Sequence, residues 1–139
     1  MSETSYVLDA YALLALLEDE PGADTVAGIL TGSQGRARVL ISMMNLGEAY
    51  YVLLRERGRA AADELAQEAF ADEALTVVDL PWERVKRAAE IKSKGGLSYA
   101  DSFALALAAE VCAPLVTGDP ELRAAATTLG IAVTWIGHD

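Results

Sequence analysis

Four of the 21 acidic residues lie within or at the end of long uncharged stretches. Asp9 is the only charge between Thr4 and Leu17, Glu48 the only charge between Val39 and Leu54, and Asp101 the only charge between Gly95 and Ala109. Asp119 closes the uncharged stretch that runs from Val111 to Gly118. None of the first three has a Lys or Arg three or four residues away with which to pair along a helix. A carboxylate in apolar surroundings costs several kcal/mol unless something compensates its charge. One shared cation would compensate all four. Ligands that are all oxygen, with no His or Cys among them, suit Mg²⁺ or Mn²⁺, which keep several waters and need few carboxylates.

Each acid must also be weighed against a local structural role. Asp9 suits the cap of a helix that follows it. Asp101 is the fourth residue of Ser98-Tyr99-Ala100-Asp101, a capping-box pattern, and Asp119 before Pro120 suits an N-cap. Glu48 has no such role, because it falls mid-helix with Met44, Asn45, Tyr51 and Val52 as neighbours at helical spacing.

The elements that must position these acids alternate between strand and helix. Short apolar runs predict strands at 5–8, from near Arg36 to Ile41, at Leu75–Val78, at Pro114–Thr117 and at Ile131–Ile136. Between them the pattern predicts helices over 10–19, a short one after Pro21-Gly22, one capped by Ser42 that runs to about Arg57, and one over 59–72. Further helices start at Pro81 and end at Gly95-Gly96, run from Ser98 to about Val111, and open at Pro120. Strands apolar on both faces imply a parallel sheet with helices on either side. Ligands of such sheets bind beyond the carboxyl ends of the strands, where the strand order reverses. Asp9 and Asp119 both fall just beyond predicted strand ends.

The chain has 139 residues, 53% of them hydrophobic and 23% charged, enough for one domain over residues 1–139 with a buried core. Its single cysteine, Cys112, leaves no disulfide within the chain and reads as a small buried hydrophobe. A reducing cytoplasm is the expected location, with no membrane span and no signal peptide. The net charge of −10 argues against non-specific nucleic-acid binding, so a nucleic-acid partner must meet a local patch. Arg84, Lys86, Arg87, Lys92 and Lys94 concentrate five of the 11 bases between residues 84 and 94. No G-x-S-x-G elbow is present, and the one histidine, His138, lies next to the end.

The segments YVLDAYALLALL around Asp9, ISMMNLGEAYYVL around Glu48, LSYADSFALALA around Asp101 and PLVTGDPELR around Asp119 occur in an order and at separations that resemble the PIN-domain family, and within it the VapC-like toxins. The resemblance spans nearly the whole chain. It implies a three-layer α/β/α fold with a five-stranded parallel sheet of order 3-2-1-4-5 and the four acids in one cleft. It implies Mg²⁺- or Mn²⁺-dependent cleavage of RNA phosphodiesters, with Thr117 and Asn45 as accompanying polar residues. It also implies a homodimer and a cognate antitoxin protein. The sequence departs from relatives at Ala10-Tyr11-Ala12, where a Ser or Thr is frequent.

Other residues extend this reading. Arg123, about one turn after Asp119, and Arg84 and Arg87 are candidate RNA contacts. Trp82, Trp135 and the tyrosines are assigned to core or interface. The helix from Ser42 to Arg57, with Tyr50, Tyr51 and Leu54, is a candidate wall for an antitoxin helix. Two alternatives stand beside the toxin: a PIN nuclease of RNA processing, and a receiver-type metal-binding module without nuclease activity. The receiver reading lacks paired acids after the first strand and a lysine near the end of the fifth.

Overall fold

The computed structural model describes residues 4–18, 20–32 and 37–138. Five strands, β1 (Thr4–Leu8), β2 (Ala37–Ser42), β3 (Leu75–Val78), β4 (Leu115–Thr117) and β5 (Val133–Trp135), form one sheet in the order β3-β2-β1-β4-β5. Every neighbouring pair is parallel. The chain leaves β1 toward β2 and β3 on one side, then crosses to β4 on the other. The strand order therefore reverses between β1 and β4, and Asp9 and Asp119 follow those two strands.

Alternation along the strands explains the three layers. Leu8, Val39, Ile41 and Val116 pack on one face against α1 (Ala10–Leu17), α2 (Ala23–Gly32), α3 (Met43–Arg57) and α4 (Arg59–Ala71). Val7, Leu40 and Leu115, each one residue out of phase, pack on the other face against α6 (Tyr99–Val111) and α7 (Pro120–Thr128). Helix α5 (Trp82–Lys92) lies on α6, where Ala88 meets Phe103 and Ala106.

The predicted caps are present. The Ser42 hydroxyl accepts from Met44 N at 3.2 Å, and Ser98 accepts from Asp101 N at 3.1 Å. Helix α5 stops at Lys92, before the predicted glycines, and Gly95 and Gly96 both take positive φ in the turn that follows. The predicted start of the second strand near Arg36 lies outside the described residues. One expectation is corrected: Cys112 is exposed. It falls one residue past the end of α6, in the left-handed region at φ 54°, where its side chain leaves the buried face that precedes it. Among the described residues no helix is long and apolar enough to cross a membrane.

The core makes a direct prediction. Leu105 on α6 is fully buried between helix and sheet, so Leu105→Ala should lower urea-denaturation stability by roughly 2–5 kcal/mol. Phe70, 60% exposed on α4, should tolerate alanine within about 0.5 kcal/mol. Equal losses at the two positions would contradict the layer assignment.

Candidate functional site

Asp9 occupies the junction of β1 and α1 and is only 4% exposed. Its Oδ1 accepts from Ala12 N at 2.8 Å, capping α1, and its Oδ2 accepts a short hydrogen bond from the Thr117 hydroxyl. Thr117 Oγ1 in turn accepts from Asp119 N at 3.1 Å. One buried hydroxyl at the end of β4 thus ties Asp9 to the backbone of Asp119. Asp119 caps α7 through Oδ1, which accepts from Glu121 N at 2.9 Å, with Pro120 at the first helical position. The capping roles of Asp9 and Asp119 hold, yet each carboxylate oxygen they use retains a second lone pair.

Asn45 does for the helices what Thr117 does for the strands. Its Nδ2 donates to the Ala100 carbonyl at 3.0 Å, joining α3 to the first turn of α6. Glu48 lies one turn further along α3, and Asp101 follows Ala100 on α6. The Asn45 side chain is fully buried and its Oδ1 has no hydrogen-bond partner.

The carboxyls of Asp9, Glu48 and Asp101 are each influenced by the charge of another of the four acids. Burial pushes the Asp9 carboxyl from an ordinary 3.8 up to about 7; the Thr117 and Ala12 hydrogen bonds pull it down, and the charges of Asp101 and Glu48 push it up again. Glu48 is raised first by burial and then by Asp101, with Asn45 opposing and Asp119 adding. Asp101 is raised by burial, lowered by the Ser98 hydroxyl, and raised again by Asp119 and Glu121. Glu121 was not a candidate from the sequence. It stands in the polar first turn of α7 and reads there as solvated surface.

The charges act through space. Among the described residues, no three His, Cys, Asp or Glu side chains already stand as a ready set of metal ligands. The donor chemistry nevertheless fits a hard cation: every oxygen is carboxylate or amide, Asn45 Oδ1 is an unpartnered buried acceptor, and Mg²⁺ binds through one or two direct carboxylates while keeping several waters.

Gly118 fixes the loop between Thr117 and Asp119. A Cβ there would fall 2.2 Å from the Tyr11 ring, so only glycine fits beneath it. This gives Tyr11 a packing role in the segment where the sequence departs from its relatives. The basic candidates differ in availability. Arg84 is held by Glu110, at 3.1 and 3.2 Å, and by Asp79 at 2.8 Å, whereas Arg87 is exposed. The Arg123 guanidinium lies over the Trp135 ring, 3.8 Å from its centroid. On the candidate antitoxin wall, Tyr50 is bonded to Asp63 on α4 at 2.7 Å, while Tyr51 is 55% exposed beside Arg55.

The model of the PIN domain family matches residues 6–127, a span that contains all four acids. The chain belongs to the PIN domain family. That membership sets aside the receiver-type alternative. This PIN domain is similar in structure to the Mycobacterium tuberculosis toxin VapC20, described as cleaving the sarcin–ricin loop, with TM-score 0.70 and 18% identity over 86% of this chain and 94% of that one. It is similar to VapBC2 from Rickettsia felis, solved bound to a promoter DNA fragment, with TM-score 0.72 and 14% identity over 94% and 98%. It is also similar to a toxin–antitoxin complex from Klebsiella pneumoniae, with TM-score 0.58 and 14% identity over 82% and 86%. At these identities the likeness shows the fold. No curated protein matches the chain in sequence.

The raised Asp9 carboxyl makes a signed prediction for this PIN domain. The folded chain keeps a proton on Asp9 that the unfolded chain releases near pH 3.8. The associated stability is full below that pH and is lost as pH rises toward about 7. In chelator at pH 8, Asp9→Asn should therefore be more stable than wild type by on the order of 1–3 kcal/mol. The gain should fade toward pH 4 in urea denaturation. A variant with no advantage at pH 8 would contradict the burial cost assigned to Asp9.

Proposed function

We propose that this PIN domain is a divalent-metal-dependent endoribonuclease that acts as the toxin of a toxin–antitoxin pair. The observation that carries the reading is geometric: Thr117 ties Asp9 to the Asp119 backbone beyond the ends of β1 and β4, and Asn45 ties the helix of Glu48 to the turn that carries Asp101. The fold shared with a toxin that cleaves the sarcin–ricin loop and with a toxin–antitoxin complex supports it.

Asp9, Asp101 and Asp119 are the principal ligands for Mg²⁺, or for Mn²⁺. Once bound, such a cation neutralises charge on the phosphate and lowers the pKa of a coordinated water. The chain's own residues do the rest. Thr117 holds Asp9 and the Asp119 backbone in one arrangement, and Asn45 ties α3, the helix that carries Glu48, to the first turn of α6. Glu48, half-buried with a raised carboxyl, is suited to orient the attacking water and take its proton. Water oxygen then bonds to phosphorus as the bond from phosphorus to the leaving ribose oxygen breaks, and that oxygen takes up a proton from solvent to leave as the hydroxyl. Arg87, exposed on α5, is a candidate contact for the RNA backbone, whereas Arg84 reaches RNA only by giving up its two carboxylate partners.

A free ribonuclease is harmful to its own cell, so the toxin role requires a neutralising partner. At net charge −10 this PIN domain suits an antitoxin whose basic residue enters the acidic cleft while apolar anchors dock alongside. The exposed Tyr51 on α3 is one such docking residue. A homodimer located in the cytoplasm completes the reading.

The test is expression of wild type and Asp101→Asn with and without the neighbouring gene. Wild type alone should arrest growth, and the purified protein should cleave RNA only with Mg²⁺ or Mn²⁺. Asp101→Asn should fold with an unchanged circular dichroism spectrum and lose cleavage by at least about 100-fold, because the shape stays while a ligand charge goes. Wild-type-like cleavage by the folded variant would sink the site assignment. Cleavage without growth arrest, and with no co-purifying neighbour, would favour an RNA-processing nuclease over a toxin.

A further inference from the structure

Arg123 is the sole Lys or Arg after Lys94. It stands four residues after Asp119 on the same helix, the orientation that favours an acid–base ion pair. The fold does not use that pairing. Asp119 Oδ1 accepts from Glu121 N instead, and among the described residues Arg123 makes no ion pair. Its guanidinium is placed over the Trp135 ring at 3.8 Å from the centroid.

Trp135 is itself fixed in place. It pairs in register with Thr117, the residue that bridges Asp9 and Asp119. A Cβ built on Gly137 would lie 2.6 Å from the indole Cζ2 and 2.7 Å from the Gly118 carbonyl oxygen, so ring, loop and strand end are wedged together. The indole Nε1 is buried with no hydrogen-bond partner, so packing and the guanidinium hold the ring, not a polar contact. Stacking engages the face of a guanidinium and leaves its planar edge of N–H donors for an anion. In a chain of net charge −10, this arginine is kept from the carboxylates of its own turn and locked beside the strand end that carries them.

Resting on the nuclease reading above, we propose that Arg123, held by Trp135, binds a phosphate of the RNA strand and positions that strand beside the acidic cleft. The ligand is a backbone phosphodiester, so the contact contributes affinity and register without reading sequence. Trp135 acts through Arg123 as its positioning residue. A stack that is only structural would alter the melting midpoint and leave the salt dependence of RNA binding unchanged.

The experiment measures binding of a fluorescein-labelled hairpin RNA with a single-stranded loop, by anisotropy in Mg²⁺ over a range of NaCl, in an Asp101→Asn background that does not cut. Adding Arg123→Gln should weaken binding about tenfold at low salt. It should also flatten the slope of log K against log salt by about 0.7, the share of one phosphate contact on a single strand. Arg123→Lys should keep the slope while losing affinity, because the charge remains and the planar stack does not. Trp135→Leu should weaken binding severalfold with Arg123 intact. Binding curves for Arg123→Gln that superimpose on the parent at every salt concentration, in a protein that melts as the parent does, overturn the proposal. Failure of the nuclease reading looks different: the wild-type chain then neither cleaves nor binds the RNA, and both inferences fall together.

Discussion

The structure depends on a single unfavourable placement, the burial of the Asp9 carboxylate at the carboxyl end of the central strand. Desolvation pushes this group up to about 7, and two neighbouring acids push in the same direction. Two hydrogen bonds, from Thr117 and from the backbone of Ala12, oppose that shift without cancelling it. A fold that required only a helix cap at this position could use Ser or Thr with no buried charge. Below about pH 7 a proton offsets the cost of this burial, and under the function proposed above a bound cation would do so at higher pH.

The surrounding architecture follows from that requirement. The sheet reverses its order beside β1, so the ends of β1 and β4 open on the same crevice. Thr117 and Asn45, both fully buried, do not carry charge; they fix the distance between elements that do. Gly118 lets the loop pass directly under Tyr11 and sets the direction in which Asp119 leaves β4. Asp9 and Asp119 each combine a capping bond with a share in the acidic cluster, because a carboxylate has more lone pairs than one cap uses.

Much of this was legible in the sequence, for physical reasons. Short apolar strands that alternate with helices read as a parallel sheet covered on both faces, and that indicates where a site must lie, although two of the five, β3 and β5, form the edges. Asp9, Glu48 and Asp101 stood out because each lacked charged neighbours, and Asp119 because it closes an uncharged stretch at a strand end. What the sequence concealed depends on contacts between distant positions. Glu121 is exposed in the first turn of α7, and nothing local in the sequence signals that its charge acts on Asp101 of α6. Cys112 looked buried because its neighbours are apolar, but the helix ends one residue earlier. Trp135 read as core or interface, and its stacking under Arg123 joins residues 12 positions apart on different elements. The engagement of Arg84 by Glu110 spans 26 residues and left no local signal.

The central claim is that Asp9, Glu48, Asp101 and Asp119 form one cation site. Its most direct measurement is an anomalous difference map from crystals of the chain grown with Mn²⁺, collected at the manganese edge. The account predicts a peak at the carboxyl ends of β1 and β4, with oxygens of Asp9, Asp101 or Asp119 in its coordination shell and Glu48 reached directly or through water. Full manganese occupancy elsewhere on the surface, with no peak beside Asp9, would contradict it.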